Sequence, residues 1–168
     1  MMIRALVDAG FYFDRPEWTQ RARKAIDFLW SKLVTETPKG IQLKAIYYES
    51  GGANVDAFLH DYALLAEACL AVASKIDWIE PDTFAIYQAR AQACVDQAMQ
   101  YFADEHGIGY YFTAEGVETP VARRKEWLDN ATPSGNSVML HALSGLPALT
   151  GNGRYAAELD AILPAYAD

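Results

Sequence analysis

Apolar and polar positions along the chain follow two alternating patterns. Met2–Phe13, Ala57–Ala73 and Ser137–Leu149 are apolar nearly all round, and in the second of these the strongly polar side chains are His60, Asp61 and Glu67. A helix with no wet face is expected to be buried on every side. Three amphipathic stretches alternate with them. In 17–34, Trp18, Ala22, Ile26, Leu29 and Leu33 share a face, away from Arg21, Lys24, Asp27 and Lys32. In 82–103 the stripe is Phe84, Tyr87, Ala91, Cys94, Val95, Ala98 and Phe102, opposed by Gln88, Gln92 and Asp96. In 154–166 it is Tyr155, Leu159, Ile162 and Tyr166. These read as helices with one dry and one wet side.

Start and stop signals frame the six helices. Asp14-Arg-Pro-Glu17 resembles a capping box before the second, Glu80-Pro-Asp82 opens the fourth, and Gly151-Asn-Gly153 parts the fifth from the sixth. Pro147 should kink or shorten the fifth. Met2–Asp14, Asp61–Ser74 and Ser137–Thr150 align as a weak repeat, each followed by an aromatic-led amphipathic helix. The order inner, outer, inner, outer, inner, outer predicts an all-α fold of about three (α/α) toroid-type hairpins, with a helical bundle as the competing arrangement. Residues 1–168 form a single helical-hairpin domain in this reading. Short β insertions are expected in the connections: a strand over Ile41–Tyr48 leading to Gly51-Gly52, and a hairpin of Gly109–Thr113 with Thr119–Arg123 across Glu115-Gly116.

Composition narrows the function classes. At 168 residues, 52% hydrophobic and 12% aromatic, the chain has material for one cored domain and is not of disordered type. A net charge of −8 argues against nucleic acid or an anionic membrane as partner. No apolar run reaches the roughly 20 residues of a membrane span, and no signal pattern opens the chain. Cys69 and Cys94 lie on apolar helical faces, as buried reduced thiols of a cytoplasmic protein would. His60, His106 and His141 lack metal-ligand spacing, no phosphate-binding glycine loop is present, and no cofactor is implied.

Phe58-Leu-His-Asp-Tyr-Ala-Leu-Leu-Ala-Glu67, Gly109-Tyr-Tyr-Phe-Thr113, Arg124-Lys-Glu126 and the Asp129–Ser137 run occur in an order and spacing that carry a family resemblance. They resemble the helical-toroid portion of the thioredoxin-domain-containing family that includes the spermatogenesis-associated thioredoxin-like proteins. That portion is similar to the six-hairpin toroids of N-acylglucosamine 2-epimerases and several glycosidases. The resemblance implies a partial six-hairpin barrel, a fragment of a larger toroid or a shortened gene product, and a sugar-like substrate. It departs from the family in lacking a CxxC, in placing His60 where an acidic residue is more usual, and in Pro147.

The candidate residues form two groups. Taking 100° per residue, Glu67 falls about 20° behind His60 and Asp61 about 100° ahead, so the three share a sector. There an imidazole and a carboxylate can act as acid and base on a sugar; the competing readings are a satisfied core or rim histidine and a capping aspartate. Asp129, Asn130, Ser134 and Asn136 surround the start of the fifth helix. They serve either to bind ligand hydroxyls or to satisfy the turn, with at least one a helix cap. His60, Asp61 and Asp129 are the catalytic candidates, gathered at one concave mouth. Glu67, Arg124, Lys125, Trp127, Asn130, Ser134 and Asn136 are the substrate-binding ones, with Trp127 either a stacking platform for a sugar ring or an anchor. Arg124 and Lys125 have solvated charge as their alternative.

Two functions follow as expectations. One is a toroid module that binds or acts on a sugar-like substrate, by isomerisation or, less well supported by the single visible acid pair, by glycosidic cleavage. The other is a non-catalytic scaffold that packs against a thioredoxin-like domain or a second copy of itself, because an open half-ring leaves apolar faces uncovered.

Overall fold

In the computed structural model, which describes residues 1–76, 80–117 and 122–166, helices dominate and a small antiparallel sheet is inserted after the second. The order is α1 (Met2–Tyr12), α2 (Pro16–Leu33), β1 (Val34–Thr37), β2 (Gly40–Tyr48), β3 (Gly52–Asp56), α3 (Leu59–Ile76), α4 (Pro81–Tyr101), α5 (Gly135–Thr150) and α6 (Arg154–Ile162), the last running into a 3-10 turn over Leu163–Tyr166. No helix among the described residues is long and apolar enough to cross a membrane.

Consecutive helices pack as pairs: α1 on α2, α3 on α4 and α5 on α6. The first members are also neighbours, α3 touching both α1 and α5. Among the described residues α2, α4 and α6 make no extensive contact with each other. Polar bridges span the gap between α2 and α4 instead. Arg23 grips the Glu80 carboxylate with two 2.9 Å hydrogen bonds, and Asp27 accepts from Tyr87 and Arg90.

Of the three all-round apolar helices, only α3 is buried as expected. Leu59, Ala63, Ala66, Cys69, Val72, Ala73 and Ile76 are all inaccessible, because α4, α5, α1, α2 and β2 surround it. Its fully buried alanines meet a facing helix with fully buried Ala91, Cys94 and Ala98, so small residues on both sides permit close approach. On α5, Val138, Met139, Ala142, Leu143 and Leu146 are buried, while His141 and Ser144 face solvent. On α1 the expectation fails. Only Val7 and Gly10 are buried, and Met2, Phe11 and Tyr12 lie open, because α1 has helical neighbours on two sides alone.

Two boundary signals also work differently from their sequence reading. The residue capping α2 is Arg15, with no side-chain cap bond; Asp14 instead takes a left-handed φ of 51°, so Pro16 at the first position makes the start. The fifth helix continues through Pro147 to Thr150. Its final carbonyls find other donors: Thr150 Oγ1 donates to Leu146 O (2.7 Å) and Gln88 Nε2 to Leu149 O (2.6 Å), before Gly151 closes the end at φ 67°.

The sheet order is β1-β2-β3, antiparallel, with Val34 opposite Leu43 and Lys44 opposite Asp56. The strand expected over 41–48 is β2; β1 and β3, short and polar, gave no such signal. Ile41 and Leu43 alternate inward, and Leu43 N donates to the Tyr62 hydroxyl of α3 (2.9 Å), which ties sheet to core. The second expected hairpin falls partly outside the described residues. Gly109–Thr113 makes one isolated bridge, Tyr110 to Ala103, and Phe112 N donates to Arg124 O (2.7 Å); the other arm's residues 119–121 lie outside the described residues.

Candidate functional site

The first turns of α3 and α5 meet at Gly135. A Cβ there would stand 2.9 Å from Leu59 Cδ2 and 3.4 Å from His60 N, so the missing side chain is what lets the two helix starts touch. Ser134 caps α5, its hydroxyl accepting from Ser137 N (3.1 Å). Asp129 completes the turn by accepting from Ser134 N (2.8 Å) and the Ser137 hydroxyl (2.7 Å). Those bonds, the Ser134 amide foremost, hold its carboxyl below the usual aspartate range.

Asn136 faces inward and is 1% exposed. Its oxygen accepts from Tyr110 N (2.9 Å), and its amide donates to Tyr110 O (2.9 Å) and Glu126 O (3.0 Å). Through that one side chain the 103–113 and 122–127 segments are fastened to α5. The substrate-binding role expected of Asn136 is therefore replaced by a structural one, since its hydrogen bonds are already committed. Beside it, Gly109 (φ 76°) is packed so tightly that a Cβ would fall 2.3 Å from Trp127 Cη2. Trp127 also meets Tyr166 edge-on at 5.3 Å between centroids, so the indole is held from two sides.

These pieces enclose a pocket of about 410 Å3, whose walls include His60, Lys125, Trp127, Asn130, Thr132 and Ser134. Five of the sequence candidates thus come together. His60 Nε2 is shielded from solvent and has no hydrogen-bond partner, an unusual state for a buried ring nitrogen. Lys125 is less free than its position suggests. It pairs with Asp104 (2.6 Å) and donates to Ile108 O (2.6 Å), and that ammonium holds the Asp104 carboxyl at about 2. What this pocket offers a ligand is an indole, hydroxyl and amide groups, one imidazole and the ion-paired Lys125 and Glu126.

The other candidates sit elsewhere, so the expected gathering of His60, Asp61 and Asp129 at one mouth is not what the packing gives. Asp61 points to the far side of α3's first turn, where Oδ2 accepts from Phe58 N (2.9 Å); burial raises its carboxyl pKa. Glu67 pairs with Arg4 in a groove between α1, α3 and α5 that His141 and Ser144 also line. Sharing a helical sector did not bring His60, Asp61 and Glu67 together, because a different neighbouring element covers each of them. Arg124 is exposed and does not line the pocket, but it pairs with Glu126 (2.8 Å), which does. Asp129 is an exposed capping residue.

Thr132, Tyr166 and Arg4 were not found from sequence. The partners of the last two are far along the chain, and no local spacing announces them. Among the described residues no group of three or more His, Cys, Asp or Glu side chains could hold a metal ion.

No family model matches the chain. It is similar to spermatogenesis-associated protein 20 of Rattus norvegicus, 28% identical over 180 residues, an alignment that covers 100% of this chain and 21% of the rat protein. The chain thus spans about a fifth of that relative's length, and the similarity extends over the helices, the sheet and the pocket alike.

Proposed function

We propose that this chain is part of an (α/α) toroid and binds a neutral, sugar-like polyol in the pocket beside Trp127. The meeting of an indole, hydroxyl and amide groups and the His60 side chain in the walls of one pocket carries the reading. A sugar ring's apolar face would lie on the indole while its edge meets Asn130, Thr132 and Ser134. The pairing of the helices, with α1, α3 and α5 adjacent and α2, α4 and α6 apart, supports an arc with the first members inside. His60 can also move a proton, as sugar isomerisation requires. Glycosidic cleavage finds less support, since it needs two facing carboxyl groups and the pocket has Glu126 alone, paired with Arg124. Two buried, unpaired thiols fit a reducing, cytoplasmic setting.

The test is a panel of hexoses, N-acetylhexosamines and linear polyols, read by tryptophan fluorescence and thermal shift. At least one sugar should change the emission, Trp127→Phe should abolish that change, and His60→Ala should weaken binding. Silence across the panel in both readouts would remove the proposal.

A scaffold role is the second reading, favoured by the open aromatic end of α1. Phe11 is 55%, Tyr12 74% and Phe13 70% exposed, a cluster a partner would be expected to cover. A second copy of this chain and a thioredoxin-like domain are the partners proposed. Sedimentation at rising concentration tests the first, with a monomer throughout counting against it.

A further inference from the structure

Consecutive residues at the start of α3 face different cavities. His60 belongs to the polar pocket just described, whereas Asp61 lines a second one of about 320 Å3 between α1, α2, β2 and α3. The walls of that second pocket are mainly aliphatic, with Leu29 and Leu33 from α2, Leu43 from β2, and Leu64, Leu65 and Ala68 from α3, and Met1 and Lys44 also line it. Among them Asp61 is the one acidic side chain. Its Oδ2 accepts from Phe58 N, and its Oδ1 has no hydrogen-bond partner among the described residues. No lysine or arginine among the described residues pairs with it. The nearby wall residue Lys44 is already neutralised by Asp56 at 2.6 Å.

A mainly apolar cleft with one half-buried carboxylate that makes no ion pair has a defined complement. Apolar groups leave water to fill the walls, and a carboxylate drawn out of water is stabilised most by a cation that donates a hydrogen bond to it. Burial raises the Asp61 pKa and outweighs the opposing effects of the Phe58 amide and of His60. Pockets of a few hundred Å3 with mainly apolar walls and one placed polar group are typical small-ligand sites.

We propose that this pocket binds a small amphipathic cation, an alkyl- or arylammonium whose apolar body lies against Leu29, Leu33 and Leu64 while its ammonium donates to Asp61 Oδ1. The site is separate from the sugar-like pocket and stands on different residues.

Hexylammonium, hexanol and hexanoate share one hydrocarbon length and differ in head-group charge. Each is titrated into the full chain while the methyl resonances of Leu29, Leu33, Leu64 and Ala68 are followed by NMR. Hexylammonium should saturate those shifts most tightly, hexanol more weakly and hexanoate weakest. Asp61→Asn keeps an oxygen able to accept from Phe58 N, so the helix start should persist, checked by the thermal melt. In that variant hexylammonium affinity should fall about tenfold, toward that of hexanol, the loss expected for a charged hydrogen bond. Ala45→Phe, which fills the cleft from β2, should abolish all three titrations, and Trp127→Ala should leave them unchanged. Absence of saturable shifts, hexanoate binding as tightly as hexylammonium, or Asp61→Asn binding hexylammonium like the parent would each overturn the assignment.

Discussion

The first and third helices, α1 and α3, are written in nearly the same apolar code, yet α3 is sealed and α1 is half bare. Between Leu59 and Ile76 most side chains are inaccessible, whereas α1 buries Val7 and Gly10 and leaves Met2, Phe11 and Tyr12 in water. What separates them is company. Five elements surround α3, two helices touch α1, and neither helix can report its neighbours through its own residues. An unbroken apolar sequence states a demand for burial. Only the rest of the molecule shows whether the demand is met.

Charge placement should break that symmetry most forcefully. Ala66→Asp puts a carboxylate in the fully buried face of α3 and should prevent folding, whereas Ala5→Asp, on the exposed side of α1, should shift urea stability by less than about 0.5 kcal/mol. If both unfold the protein, α1 is more deeply packed than described.

Next comes the anchor of α1 itself. At Gly10 a Cβ would stand 2.4 Å from Thr19 Oγ1 and 3.0 Å from Arg15 O, so Gly10→Ala should cost about 1–3 kcal/mol by forcing α1 off α2. Adding Thr19→Ala should recover part of that loss, and equilibrium unfolding of the pair would show it. On α3, Tyr62→Phe removes the acceptor for Leu43 N and should cost about 1 kcal/mol, with faster amide exchange at Leu43 as the local sign. Phe13→Ser should leave stability within about 0.5 kcal/mol and lower any concentration-dependent association seen by sedimentation.

The smallest effect is a pH dependence at the cap of α5, the third apolar helix. Asp129 has a folded pKa below the usual 3.8, because Ser134 N and the Ser137 hydroxyl favour its charged form. Its contribution is therefore complete above about pH 4 and fades as pH falls through the lower folded value. Acid titrations of the parent and Asp129→Asn should converge at the acid end and differ by a constant amount near neutrality. A gap that widens toward low pH would reverse the assigned sign.

The helix number and most boundaries were legible in the chain because each rests on local periodicity or on a Pro or Gly signal. The cap of α5 was legible only as a neighbourhood, because several short polar residues precede the apolar run and nothing local singles out Ser134. The sheet was legible only at β2, where Ile41 and Leu43 alternate; Thr35, Glu36, Asn54 and Asp56 carry no strand signature and pair because β2 offers edges. For the site, the sequence brought out the Asp129–Ser137 neighbourhood but merged His60 with Asp61. A projection around one helix axis measures angles and contains no neighbours, whereas here Trp127 stands on one side of the turn and Leu33 of α2 on the other. The two readings of Asn136 could not be separated for a related reason. Its Tyr110 and Glu126 partners become adjacent only once the long connection folds back.

Cys69 and Cys94 give the interior a built-in reporter. Both thiols are fully enclosed, and burial pushes the Cys69 pKa up to about 12, so neither presents a reactive thiolate while the helices stay shut. Alkylation of either sulfur must wait for α3 and α4 to part. The modification rate in native buffer would then clock the rare excursions that open the middle of the molecule, with no probe installed beforehand and no residue substituted.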